Sequence, residues 1–170
     1  ERSSLKSEKY LQRSVALYKK AALRGNAEAQ YKLAECYNKG IGVSRLPNEA
    51  VKWYTEAANQ GHAEAQYELA KCYKYSFDIN HSYVDAVKWF HKAAEQGHIY
   101  AQNELGVCYA KGQGVEQSYA EAAKWYSEAA HKGYNWAQSN LAWCYKTGNG
   151  VEQSYEKAVW WYTCAAASGL

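Results

Sequence analysis

Apolar residues return along the chain at helical spacing and in two alternating sets. Ala29, Leu33, Cys36 and Tyr37 stand at i, i+4, i+7 and i+8, one face of a helix, and predict a helix A over about residues 27 to 39. Gly40 and Gly42 stop it, because glycine accepts the positive φ of a helix C-cap and of a tight turn. The second set, Ala50, Trp53, Tyr54, Ala57 and Ala58, keeps the same spacing and ends at Gly61, predicting a helix B. The unit is a helical hairpin with apolar groups on both broad faces, more than one hairpin can hide by itself.

The hairpin recurs. Gly25, Gly61, Gly97, Gly133 and Gly169 are each 36 residues apart, as are Leu33, Leu69, Leu105 and Leu141, and Cys36, Cys72, Cys108 and Cys144. Trp53, Trp89, Trp125 and Trp161 keep the same step, and so do the alanine pairs that begin at Ala57, Ala93, Ala129 and Ala165. A fixed period of this size signals stacked units that share a continuous core. Four complete units are expected, at 26–61, 62–97, 98–133 and 134–169, in an all-α solenoid of antiparallel helix pairs. Residues 1–25 carry only the second half of the pattern, with Leu17 in the Trp position followed by Tyr18, Ala21-Ala22 and Gly25. They predict an unpartnered B-type helix that either caps the array or follows an A helix lying upstream.

Composition explains what fills the stack. The 170 residues are 48% hydrophobic and include 7 Trp and 17 Tyr but only 2 Phe and no Met. Small alanines let helix axes approach while Trp and Tyr rings fill the wider gaps. The apolar fraction excludes a disordered chain, and no run nears the roughly 18 apolar residues of a membrane helix, so no membrane insertion is expected. A net charge of +3 is too small for the electrostatic contribution that dominates nucleic-acid binding, so no nucleic-acid partner is expected either. The chain opens on Glu1-Arg2-Ser3 without Met or an apolar signal region and stops at Leu170, and both ends read as cuts through a longer protein.

The stretch from Ala27 to Val43, A-E-A-Q-Y-x-L-A-x-C-Y-x-x-G-x-G-V, followed by E-A-V-K-W-Y-x-x-A-A-x-x-G at 49–61, resembles the Sel-one-like repeat, a relative of the tetratricopeptide repeat. The likeness covers essentially everything after residue 13. The tetratricopeptide repeat itself is about 34 residues long and usually lacks the Gly-x-Gly-Val connector, so it ranks second. The resemblance implies a right-handed superhelix with A helices lining a concave surface and B helices outside. It also implies an adaptor that assembles protein complexes rather than an enzyme. One cysteine-rich, disulfide-bonded bacterial branch has been linked to β-lactam binding. Its paired cysteines fall near Ala22 and Ala29, and alanine there speaks against that branch. The second unit departs from the pattern, with Tyr75-Ser76-Phe77-Asp78-Ile79 in place of Gly-x-Gly-Val. This turn is either drift or, through Phe77 and Asn80-His81, a partner contact.

With Leu33 at the centre of the buried face of helix A, positions 28, 31, 35 and 38 lie roughly 140–220° away and are left free by stacking. Unit one shows Glu28, Tyr31, Glu35 and Asn38 there, and unit two Glu64, Tyr67, Lys71 and Lys74. Unit three shows Tyr100, Asn103, Val107 and Ala110, and unit four Trp136, Ser139, Trp143 and Lys146. The stripe turns from charged to aromatic. Tyr100, Val107, Trp136 and Trp143 are expected to form an apolar pocket, with Tyr31, Tyr67, Lys71 and Lys74 as peptide contacts further along. The competing reading packs Trp136 and Trp143 against a further repeat or flanking chain. Trp160 stands where other units have Lys52, Lys88 and Lys124, and Cys164 where they have Glu56, Lys92 and Glu128. An exposed Trp160 and thiol on the last helix would be covered by additional repeats or a partner subunit, and Trp160 and Phe77 are expected as secondary contacts.

No chemistry converges. Cysteines on successive A helices should lie about 10 Å or more apart, beyond the roughly 7 Å Cα separation of a disulfide, and read as small buried residues. No Cys-x-x-Cys or matching His spacing proposes zinc, so no metal and no cofactor are expected. Free thiols favour a reducing, cytoplasmic compartment, with a secretory or periplasmic one as the alternative, and the sequon Asn80-His81-Ser82 matters only if the chain enters the secretory pathway. His62 and His98 share a position at the start of helix A and read as helix-start polarity. Ser154-x-x-Lys157 and Lys146-Thr147-Gly148 mimic penicillin-binding motifs in reversed order, and both fall on ordinary repeat positions, Ser154 as a helix cap. The expected function is a non-catalytic scaffold that binds a peptide or partner helix in the concave groove. The alternative is a regulatory or targeting segment of a larger enzyme or signalling protein.

Overall fold

The computed structural model describes residues 2–75, 81–167 and 169, and for 2–7 the backbone alone. The divergent turn at Ser76–Asp78, with Phe77, and Asn80 of the sequon lie outside the described residues. Among those described there are nine α-helices and no strands: α1 (Arg2–Ala22), α2 (Ala27–Lys39), α3 (Pro47–Asn59), α4 (Ala63–Tyr75), α5 (Tyr83–Glu95), α6 (Ile99–Lys111), α7 (Tyr119–His131), α8 (Asn135–Thr147) and α9 (Tyr155–Ala167). The architecture is an all-α helical repeat. α2, α4, α6 and α8 are A helices, and α1, α3, α5, α7 and α9 are B helices. The chain divides into two compact units, Glu1–His81 and Ser82–Leu170. In the first, α1, α2, α3 and α4 pack in succession, and in the second α6 packs on α5, α7 on α6, α8 on α7 and α9 on α8.

Local chemistry sets where the helices begin and end. The Asn26 side chain accepts the Ala29 N–H at 2.8 Å, and Ser82, Ser118 and Ser154 do the same for Asp85, Glu121 and Lys157 at the heads of B helices. α3 uses another device, Pro47 in its first turn, where a missing N–H costs nothing. His98 accepts the Ala101 N–H through Nδ1, so the helix-start reading of the shared histidine position holds there.

The core follows the repeat. Leu33 and Leu69 in the first unit and Leu105 and Leu141 in the second are at most 2% exposed, as are most of the paired alanines. Trp53, Trp89 and Trp161 are buried, but Trp125 is only partly so, and its buried Nε1 has no acceptor among the described residues. All five cysteines are free, and the four phased ones are buried.

Two contacts hold neighbouring helices in step. A Cβ at Gly42, which has φ +68°, would sit 2.8 Å from the Leu11 carbonyl carbon, so only glycine lets this connector reach the preceding B helix. Gly114 and Gly150 approach the Tyr83 and Tyr119 carbonyls in the same way. The second contact is a buried glutamine on each A helix. Gln30, Gln66, Gln102 and Gln138 are at most 6% exposed and donate through Nε2 to the carbonyls of Ala22, Ala58, Ala94 and Ala130. Those acceptors belong to the last turn of the preceding B helix, where carbonyls lack helical partners. Gln30 Oε1 in turn accepts from Gln60 at 2.6 Å and Gln102 Oε1 from Lys132 at 3.2 Å.

Candidate functional site

In the second unit, the side of α6 and α8 that stacking leaves free carries large rings. Trp136 is 56% exposed, Tyr100 52% and Trp143 40%. Two of these rings lie against other aromatic side chains. Tyr100 meets Tyr134 edge-on at 5.1 Å, and Trp143 lies against Tyr119 of α7 at 6.1 Å. Burial, and then the nearby Glu104 carboxylate, raise the Tyr134 hydroxyl above the usual phenol range, so it stays a neutral donor. Between the rings, Asn140 Nδ2 donates to Asn103 Oδ1 at 2.9 Å, joining the two A helices by an uncharged pair. Val107 is half-buried and packs against the core of this unit.

The corresponding side of the first unit is charged and internally paired. Tyr31 stacks on the His62 ring at 4.8 Å, while His62 Nε2 lies 2.9 Å from Glu28 and its Nδ1 accepts the Ala65 N–H. That geometry places the imidazole proton on Nε2, donating to the carboxylate. Burial, and then Glu35, push the Tyr31 hydroxyl up to about 12. Burial alone would raise the Glu35 carboxyl, but hydrogen bonds from Lys39 and Lys32 outweigh it and hold the group below its ordinary value. Tyr67 is half-buried beneath the Lys71 ammonium, which also holds Glu68 at 2.9 Å. Lys74 departs from the expected free face. It is 6% exposed, with its ammonium 5.1 Å from the Tyr75 ring, because a single-helix wheel does not see what neighbouring chain covers.

On α9, Trp160 is 57% exposed and stands edge-on to Trp161 at 4.5 Å. Cys164 is not the exposed thiol expected, since it is half-buried against the core of the second unit. Tyr134, Tyr119 and Asn140 were not singled out from the sequence for this surface, and Asn103, expected on its free stripe, is instead only 6% exposed beneath it. Tyr134 precedes the helix pattern, Tyr119 sits on a B helix, and the two amides are offset by 37 rather than 36 positions. Among the described residues no three His, Cys, Asp or Glu side chains cluster as metal ligands do, and no helix is long and apolar enough to cross a membrane.

The Sel1 repeat matches residues 9–26, 27–62, 63–98, 99–134 and 137–170. A Sel1 repeat protein from Oxalobacter formigenes superposes with a TM-score of 0.88 at 35% identity, over 94% of this chain and 65% of its own. The protective antigen c5321 of uropathogenic Escherichia coli, described as having an SLR fold, gives 0.89 at 38% identity, over 92% of this chain and 33% of its own. The chain thus spans less than two thirds of either relative. Helicobacter pylori cysteine rich protein B shares the fold at a TM-score of 0.56 and 20% identity, over 72% of this chain and 88% of its own. No curated protein is a significant match. Repeats of this kind generally build protein-interaction scaffolds, and with its matches running nearly end to end the chain belongs to the Sel1 repeat family.

Proposed function

We propose that the chain is a non-catalytic protein-interaction module whose α6–α8 face grips an extended peptide or a partner helix. The observation that carries this is the set of three rings, Tyr100, Trp136 and Trp143, 40–56% exposed on adjacent A helices with no core to fill. Trp and Tyr offer large rigid contact area at low entropy cost and dominate binding hot spots. The half-buried Asn140, held by its hydrogen bond to the buried Asn103, offers an amide suited to a peptide main chain or polar side chain. Tyr31, Tyr67 and Lys71 offer further contacts in the first unit, and Trp160 a secondary one on α9. Lys32, Lys39 and Lys71 each already hold a carboxylate, which leaves this face poorly equipped to neutralise a phosphate backbone.

The test is selection of peptides from a random library displayed against the folded chain, followed by binding to single variants. Trp136→Ala and Trp143→Ala are each expected to weaken the selected peptides at least tenfold, about 1.4 kcal/mol or more, with melting within a few degrees of the parent. Peptides that bind both variants as well as the parent would place recognition elsewhere.

A further inference from the structure

The first unit holds a cavity of about 250 Å³ between α1 and α2, bounded by Leu11, Val15 and Tyr18 of α1, by Glu35 and Cys36 of α2, and by Ile41 of the connector. The repeat explains why it is open. Shifting by 108 residues, three periods, takes Leu11 to Tyr119 and Glu35 to Trp143. At α7–α8 those two rings lie against each other at 6.1 Å, so the niche between a B helix and the next A helix is occupied there by aromatic side chains of the chain itself. At α1–α2 the same two positions carry a leucine and a carboxylate, and the cavity lies between them.

The geometry points to this cavity as a binding site for a single aromatic side chain of a partner peptide, with tryptophan as the preferred ring. Its size suits a two-ring system, since a cavity of about 150 Å³ already accepts benzene. Its floor is apolar, with the buried Cys36 sulfur available for a ring-edge contact. Its one carboxylate, Glu35, stays ionised, and its oxygens take one hydrogen bond each from Lys39 and Lys32. Each oxygen therefore keeps a lone pair for an indole N–H, which favours a ring bearing a donor over phenyl or an aliphatic chain. The site shares no residue with the α6–α8 face, so either can fail without the other.

The test titrates the protein with N-acetyl-tryptophanamide while following the methyl resonances of Leu11, Val15 and Ile41. Saturable shifts at millimolar concentration are expected, with N-acetyl-leucinamide at least tenfold weaker. Glu35→Trp, which installs the ring found at position 143, is expected to weaken the tryptophan amide at least tenfold while melting no lower than the parent. Should that variant fail to fold, Leu11→Tyr, the residue found at 119, makes the same test. Shifts that do not saturate, equal binding of the leucine amide, or binding unchanged in the filled variants would overturn the assignment. Tighter binding of free tryptophan than of its amide would also overturn it, because a peptide side chain carries no such terminal charges.

Discussion

At the scale of single residues, the most consequential side chains are polar ones in the core. Gln102 is 3% exposed and satisfies the Ala94 carbonyl at 3.2 Å, whereas Gln153 makes a hydrogen bond of similar length to the Lys146 carbonyl in full contact with water. Removing a buried partner leaves the orphan to pay its desolvation, about 1–3 kcal/mol, while water replaces an exposed one. Gln102→Leu is therefore expected to lower the unfolding free energy by about 1–3 kcal/mol and Gln153→Leu by less than about 0.5 kcal/mol, as read from urea melts. A search for apolar periodicity does not reveal the glutamines as core, because it assigns polar residues to the surface. It also misplaces Lys74, which is only 6% exposed, and Trp125, which is half-buried where its counterparts are buried. Gln138 shows how closely the pattern is kept. Its Oε1 is buried without a partner among the described residues, and the register position that supplies a donor to Gln30 and Gln102 is here residue 168, which lies outside them.

At the scale of elements, helix boundaries were legible where glycine and apolar spacing coincide. α2 runs from Ala27 to Lys39 as the spacing predicts. α3 starts at Pro47, ahead of the first apolar position at Ala50, because its start depends on proline chemistry that periodicity does not register. The orienting contacts of the candidate face were less legible, since they join an A helix to a B helix or bridge two A helices at unequal register. Within α5, Trp89 is 8% exposed with the Lys92 ammonium 4.2 Å from its ring. Trp89→Ala should cost about 3–5 kcal/mol, a large part of the roughly 5–15 kcal/mol usual for a domain, and unfold the central helices. A variant with a urea midpoint matching the parent's would show that α5 contributes little to the fold.

For the molecule as a whole, buried acidic groups tie stability to alkaline pH. Burial, with Glu68 adding to it, pushes the Cys72 thiol from its ordinary 9.0 up to about 11, and burial raises Cys144 likewise to about 11. Burial also drives the Tyr54 and Tyr126 hydroxyls above the usual phenol range. Each group holds its proton more tightly folded than unfolded. Below about pH 9 both states keep the thiol protons and the thiols' contribution to stability is constant; between about pH 9 and 11 only the unfolded chain releases them, so stability falls as pH rises. Urea midpoints measured across that window should decline steadily, and a level profile would mean that these thiols are open to solvent. One further property follows from the glycines that meet the carbonyls of the preceding helix. Those contacts join main chain to main chain, so the spacing of the units is indifferent to the identity of the residues on their open faces. Tyr31, Tyr67 and Ser139 occupy a single register position and differ in size and polarity without altering the period. Recognition can drift, or be swapped by design, while the scaffold keeps its gauge.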